Sequence, residues 1–267
     1  MRAMAYVGLV ALFLSTNSIA GSALSICVDE NPWPPYTYWD KSAQEPVFNG
    51  YTFTLASTVL ARLNQPYDIQ RLPWSEVHTR AKTAALGAGC DMILDISATL
   101  ERQQYLYFTQ PIYQLYYSLV YSKQIFSILN IPESKNIKNY KICGVDSYNY
   151  GVLEKKLDII RESSIQAVLN KLKNKQCDFF AVEAPVLQYG IKMGLYQFND
   201  MGCVDLEDVT RKSYRLAVAK RYPNAEQLIT SINMQIGQLR KEGEIAKMAQ
   251  NHGVASDVCK GQITLGQ

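Results

Sequence analysis

The apolar positions of this chain change their spacing repeatedly, and the changes divide it into elements. Between Gly50 and Pro66, the residues Leu55, Val59, Leu60 and Leu63 fall on one face of a helix predicted over Tyr51 to Asn64. Tyr67 to Leu72 alternates with the period of a strand, and Trp74 to Leu86 returns to helical spacing through Val77, Ala81 and Ala85. Met92 to Ile96 is a short, nearly continuous apolar run, bounded by Gly87, Gly89 and Asp91 on one side and by Ser97 and Thr99 on the other. A central parallel strand, covered on both faces, reads this way. With a first strand at Ser25 to Asp29, the order is strand, helix, strand, helix, strand, which predicts a parallel sheet.

The same order restarts after a tyrosine-rich run, Tyr113 to Tyr121, that reads as one long strand. Lys141 to Val145 is predicted as a strand, Asp146 to Tyr150 as a loop, the stretch from Val152 as helical and Ile159-Ile160 as a short strand. A helix from Ser164 carries Ile165, Val168, Leu169 and Leu172 on one face. The segment Cys177-Asp178-Phe179-Phe180-Ala181-Val182-Glu183 then repeats the organisation of Cys90-Asp91-Met92-Ile93-Leu94-Asp95. Two similar α/β units follow from this repeat. A last strand, Tyr214 to Ala219, precedes helices over Ala225 to Lys241 and Glu244 to Asn251.

Cysteines sharpen the repeat, because each unit has a first strand carrying one (Cys27, Cys143) and a later strand opening Cys-Asp (Cys90, Cys177). Parallel neighbours lie about 4.8 Å apart, within the Cα range a disulfide spans. Six cysteines allow fifteen connectivities; strand adjacency predicts Cys27 with Cys90 and Cys143 with Cys177. The remaining pair, Cys203 with Cys259, would tie the C-terminal tail to the segment leaving the second unit.

The chain has 267 residues, 48% of them hydrophobic, enough for one large or two modest domains. Its formal charge of +3 is unclustered, which speaks against a nucleic-acid partner. Arg2, the apolar run Ala5 to Leu14 and the small residues up to Ala23 form a secretory signal pattern over residues 1–23, with cleavage expected after Ala20 or Ala23. An exported, soluble protein with an even number of cysteines is expected to form disulfides. His78 and His252 are the two histidines and no CxxC pair occurs, so neither a metal nor another cofactor is expected.

Candidate chemistry gathers after Ile96. Thr99 is a good N-cap with Glu101 in the first turn, so a helix start is predicted at a strand end, where backbone N–H groups favour anions. Arg102 adds a planar fork suited to a carboxylate. A second reading stands beside this one, in which Arg102 makes a surface ion pair and Ser97 simply caps.

Several of these segments resemble those of periplasmic solute-binding proteins that serve polar amino acid ABC transporters, family 3. The resemblance rests on Trp33-Pro34-Pro35-Tyr36, on Gly50-Tyr51 and on Gly-Cys-Asp before the central strand. It rests most on Ser97 through Arg102 leading into Phe108-Thr109-Gln110-Pro111-Ile112-Tyr113, and on Tyr214 to Lys220. It implies a type II periplasmic-binding-protein fold: two lobes, each a mostly parallel sheet flanked by helices, with two crossing strands as hinge. Lobe 1 would be residues 24–117 plus 213–267, and lobe 2 residues 118–212.

The resemblance also implies a site. Arg102 and Ser97 would hold a ligand carboxylate, Glu183 an ammonium, and Trp33 and Tyr51 would sandwich the side chain. Three departures from the family's pattern bear on the ligand: Glu183 where aspartate is usual, Tyr148 and Tyr150 in a loop that is commonly Gly-Ser or Gly-Thr, and Asp95 where a small neutral residue is frequent. Asp95 either favours a cationic ligand group or is an acid exposed at a strand end. The implied function is capture of a small carboxylate-bearing solute, an amino acid or related amine, by a periplasmic monomer that closes around it and delivers it to an ABC transporter permease in the inner membrane. Two alternatives on the same fold are a cyclohexadienyl dehydratase-like enzyme, with Glu183 or Asp95 as general acid, and a sensor module acting on a membrane receptor.

Overall fold

The computed structural model describes residues 23–40, 44–83, 89–126, 134–206, 209, 211–254, 259 and 261–263. The expected signal segment therefore lies, up to residue 22, outside the described residues. The chain runs through β1 (Leu24–Asp29), β2 (Tyr38–Asp40), β3 (Val47–Asn49), α1 (Tyr51–Arg62), β4 (Tyr67–Leu72), α2 (Trp74–Thr83), β5 (Met92–Ile96), β6 (Leu106–Phe108), β7 (Tyr113–Leu115) and β8 (Ser118–Ser122). It continues through β9 (Ile142–Val145), α3 (Leu153–Lys156), β10 (Ile159–Glu162), α4 (Ile165–Lys173), β11 (Phe179–Val182), α5 (Ala184–Lys192), β12 (Met201–Leu206), β13 (Lys212–Ala219), α6 (Ala225–Lys241), α7 (Glu244–Asn251) and β14 (Gly261–Ile263).

Two six-stranded sheets result, one per repeat. In the first the order is β4-β1-β5-β13-β6 with β7 also on β13; in the second it is β10-β9-β11-β8-β12-β14. β1 is parallel to β4 and β5, and β9 is parallel to β10 and β11, as the alternating pattern predicts. β13 in one sheet and β8 in the other run antiparallel to those cores.

The run Tyr113 to Tyr121 is not one strand. Tyr113 pairs with Tyr214 in the first sheet, whereas Ser118 pairs with Val182 in the second. One backbone ladder cannot serve two sheets, so the run breaks at Tyr116-Tyr117 and becomes a connection between them. β12 and β13 make the second connection, since β12 pairs with β8 and β13 with β5. β14 pairs with β12, which places the last strand in the second sheet and not with the lobe 1 segment 213–267 in which it was expected.

Each sheet has a helix-covered core. Leu55, Val59 and Leu60 of α1 and Ile232, Ile236 and Leu239 of α6 are fully buried beside Leu24, Ile26, Met92 and Leu94. Burying a side chain of this kind contributes about 1.5–3 kcal/mol. Ser164 caps α4 by accepting from the Ala167 amide at 3.2 Å, a helix start worth about 1 kcal/mol. Three disulfides join Cys27 to Cys90, Cys143 to Cys177 and Cys203 to Cys259, the pairs read from strand adjacency and the remainder, with Cα separations of 5.4, 6.0 and 5.2 Å. Ile26 pairs with Met92 and Ile142 with Phe179, so the first two bridges occupy the same register in the two units.

Candidate functional site

The first sheet ends, at β5, in an unusual residue. Asp95 has φ of 52°, in the left-handed region that aspartate tolerates better than most residues. Its carboxylate is held by three hydroxyls: Thr52 (2.5 Å) and Tyr113 (2.8 Å) donate to Oδ1, and Thr37 (2.6 Å) donates to Oδ2. Burial pushes its pKa up to about 6, against the pull of those three donors. Downstream, the predicted helix start is only a 3-10 turn over Arg102–Gln104, with the Arg102 amide donating to Thr99 Oγ1 at 3.1 Å. The chain must reach β6 by Leu106 to pair with β13, which leaves no room for a helix. With no helix dipole at this strand end, any affinity for an anion comes from side chains and turn amides.

Arg102 supplies it. Nη1 donates to the Ser97 carbonyl (3.0 Å) and to Ser97 Oγ (3.1 Å), Nη2 donates to the Ser147 carbonyl (3.2 Å), and the guanidinium lies 5.8 Å from the Trp74 ring. The residue is 6% exposed, and no carboxylate among the described residues lies within ion-pair distance of it. The surface ion pair considered for this residue is thus absent. A buried guanidinium with neutral acceptors only is electrostatically incomplete, and burial lowers its pKa accordingly.

Arg102 borders a cavity of about 40 Å³ between the two sheets. Ser97 and Asp95 also line it, as do Trp33, Trp74 and Asp29 from the first-sheet side and Tyr148 and Asn149 from the second. Asp29, at the end of β1, accepts from the Asn31 amide and side chain on Oδ1 (3.0 and 3.1 Å) and from the Tyr148 hydroxyl on Oδ2 (2.6 Å). Burial raises its pKa to about 6, opposed by the Tyr148 and Asn31 bonds. A wider groove of about 930 Å³ adjoins the cavity and shares Ser97, Arg102, Tyr148, Asn149 and Lys212 with it.

Of the residues implied by the sequence, Trp33, Asp95, Ser97, Arg102 and Tyr148 come together at this cavity. Glu183 and Tyr51 do not line it. Glu183, 2% exposed, is ion-paired with Lys212 Nζ at 3.0 Å and accepts from the Tyr214 hydroxyl at 2.6 Å. Its carboxylate is satisfied by the protein before any ligand arrives. Tyr51 is buried at the start of α1, donates to the Ile112 carbonyl at 3.2 Å, and meets Tyr36 and Tyr113 edge-on behind the cavity wall. Sequence reasoning missed Asp29, Trp74, Asn149, Lys212 and Tyr214. Asp29 and Trp74 carried readable signals, an acid at the end of a buried strand and an aromatic opening a helix. Lys212 carried none.

Bacterial extracellular solute-binding proteins of family 3 match this chain over residues 24–255. The chain belongs to that family. No curated protein sequence matches this family 3 chain. Among solved structures it is similar to an ABC uptake transporter substrate-binding protein from Streptococcus pneumoniae with bound histidine, at 18% identity and TM-score 0.72, covering 89% of this chain and 94% of that one. It is similar to an ancestral amino acid-binding protein described as a precursor of cyclohexadienyl dehydratase, at 18% identity and TM-score 0.67, covering 86% and 95%. A histidine kinase sensor domain with similarity to periplasmic binding proteins aligns at 16% identity and TM-score 0.67, covering 90% and 99%. At these identities the likeness is one of fold, and the fold is the mixed α/β, two-sheet arrangement of family 3. Among the described residues no helix is long and apolar enough to cross a membrane.

Proposed function

We propose that this chain is an exported, monomeric binding protein that takes a small carboxylate-bearing solute, an amino acid or related amine, into the cleft between its two lobes and hands it to an ABC transporter permease. Lobe 1 comprises residues 24–117 with the chain from 213 as far as α7, and lobe 2 comprises residues 118–212 together with β14. The connections at Tyr116-Tyr117 and between β12 and β13 act as the hinge, and solute contacts on both lobes favour closure.

The observation that carries this reading is Arg102, a buried cation with neutral acceptors at the cleft and no carboxylate partner among the described residues. A solute carboxylate completes it through charge-assisted hydrogen bonds, joined by the Ser97 hydroxyl. Because Glu183 is neutralised by Lys212, the amine of the solute is received by Asp29 or Asp95, which line the same cavity and make no ion pair among the described residues. Binding without chemistry suits these acids, since both already accept hydrogen bonds and Asp95 is engaged on both oxygens. His78 is bonded to Tyr105 and packed on Trp74, and it does not line the cavity.

The test is a thermal-shift panel of amino acids, amines and small carboxylates on protein stripped by unfolding and refolding. A carboxylate at ~100 Kd stabilises by about 2.7 kcal/mol and is recovered unchanged, and Arg102→Ala abolishes the shift. A shift that survives Arg102→Ala sinks the anchor.

A further inference from the structure

The inner end of the cleft, where Asp29, Trp33 and Trp74 lie, is filled by the protein itself. The loop Ser147 to Asn149 enters it from the second lobe and meets the first-lobe groups one by one: the Ser147 carbonyl accepts from Arg102 at 3.2 Å, Asn149 Nδ2 donates to Ser97 Oγ at 2.9 Å, and the Tyr148 hydroxyl donates to Asp29 at 2.6 Å. Between those ends the Tyr148 ring sits edge-on to Trp33 and Trp74, at 5.8 and 6.4 Å. An acceptor on the arginine, a flat apolar body between two indoles and a donor on the distal acid are what a solute would present. The space left over beside Asp29 and the two indoles, about 40 Å³, holds a few water molecules and no amino acid, whereas the adjoining 930 Å³ groove reaches Arg102 and Ser97 but is not lined by Asp29, Trp33 or Trp74.

The loop is built to hold this pose and to move as one piece with the second lobe. Ser147 has φ of 59°, in the left-handed region that serine rarely occupies, a strain of the kind that collects at ligand clamps. Tyr150 roots the loop in the second-lobe core, its hydroxyl accepting from the Val145 amide at 2.7 Å, and Arg161 donates to the Tyr148 carbonyl at 3.1 Å. When the lobes part, Tyr148 leaves with the second lobe, and Arg102 and Asp29 are freed together.

We propose that the Ser147–Asn149 loop is a tethered occupant of the cleft, and that the solute displacing it is an aromatic-sized carboxylate carrying a hydrogen-bond donor at its far end. This rests on the solute-binding reading and narrows it. It makes Tyr148 the specificity-determining residue of the site: a solute too short to span from Arg102 to Asp29 cannot replace all the contacts the loop surrenders. The occupant lowers apparent affinity by the fraction of molecules in which it is seated.

The experiment is calorimetric titration of 4-hydroxyphenylacetate into full-length mature protein and its Tyr148→Gly and Tyr148→Phe variants. Tyr148→Gly empties the slot and should bind at least tenfold more tightly than the wild type. Tyr148→Phe keeps the ring, loses only the bond to Asp29, and should fall between the two. Phenylacetate, lacking the distal donor, should bind Tyr148→Gly about tenfold more weakly than 4-hydroxyphenylacetate. Equal or weaker binding in both variants, or no binding to any of the three proteins, overturns the proposal. If the wild type still shows an Arg102-dependent shift with another carboxylate, the solute-binding reading stands while the tethered occupant falls; if no such shift exists, both fall.

Discussion

Asp95 and Glu183 stand near the ends of the two strands that open Cys-Asp, one register step apart, since Asp95 corresponds to Val182 and Ile96 to Glu183, and the two lobes treat these acids in opposite ways. Asp95 is held by three neutral hydroxyls and makes no ion pair among the described residues, whereas Glu183 is locked to Lys212 and Tyr214. The first lobe thus holds its acid through neutral donors alone, and the second has paired its acid with a cation. Duplicated architecture does not carry duplicated chemistry, because one lysine at the hinge end of β13 is enough to retire an acid from the cleft.

The strongest way to break this contrast is Lys212→Met. Lys212 is 8% exposed, so its loss strands a buried carboxylate and should cost about 3–5 kcal/mol in urea unfolding. The double variant Lys212→Met with Glu183→Gln should recover most of that; a single variant as stable as the parent would show that the pair is not an ion pair in solution. Next come the equivalent disulfides, each worth about 2–4 kcal/mol when replaced by alanines. They close spans of 63 and 34 residues, so losing Cys27–Cys90 should cost only about 0.5 kcal/mol more than losing Cys143–Cys177. A gap several times larger would mean that the two units differ in unfolded-state structure.

A further contrast concerns the first-lobe acids. Asp29 and Asp95 each titrate near 6 in the folded chain, above the ordinary 3.9 or so of an unfolded aspartate. Between about pH 4 and 6 the folded state therefore holds more protons than the unfolded one. Their contribution to stability is full below pH 4 and declines as pH rises through 6. Asp29→Asn should remove about half of that decline in a series of Tm measurements from pH 3.5 to 7, and an unaltered slope would place the titration elsewhere.

The repeat, the parallel cores and the disulfides were readable in the sequence because each follows from local periodicity plus one geometric rule. Helix α6 and strand β4 fall where the spacing puts them, at Ala225–Lys241 and Tyr67–Leu72. The break at Tyr116-Tyr117 was hidden, since residues on both sides favour strand and only the competition between two sheets separates them. At the cavity, Arg102 was legible from its place after a buried strand, whereas Ser97 and Tyr148 came from the family resemblance. The pairing of Lys212 with Glu183 was not legible, because their sequence separation of 29 residues is bridged only by the folded hinge.

One feature of the tail sets a limit on how far the molecule can gape. Helix α7 packs on α1 and α6, and the Val254 amide donates back to Ala249 at 2.9 Å, so the chain is fastened to the first lobe as far as Val254. Cys259 is covalently bound to Cys203 in β12 of the second sheet. Five residue steps span at most about 18 Å fully stretched. The two lobes are thus leashed at a third point, close to the hinge end of β12, and the leash can be untied by a reductant.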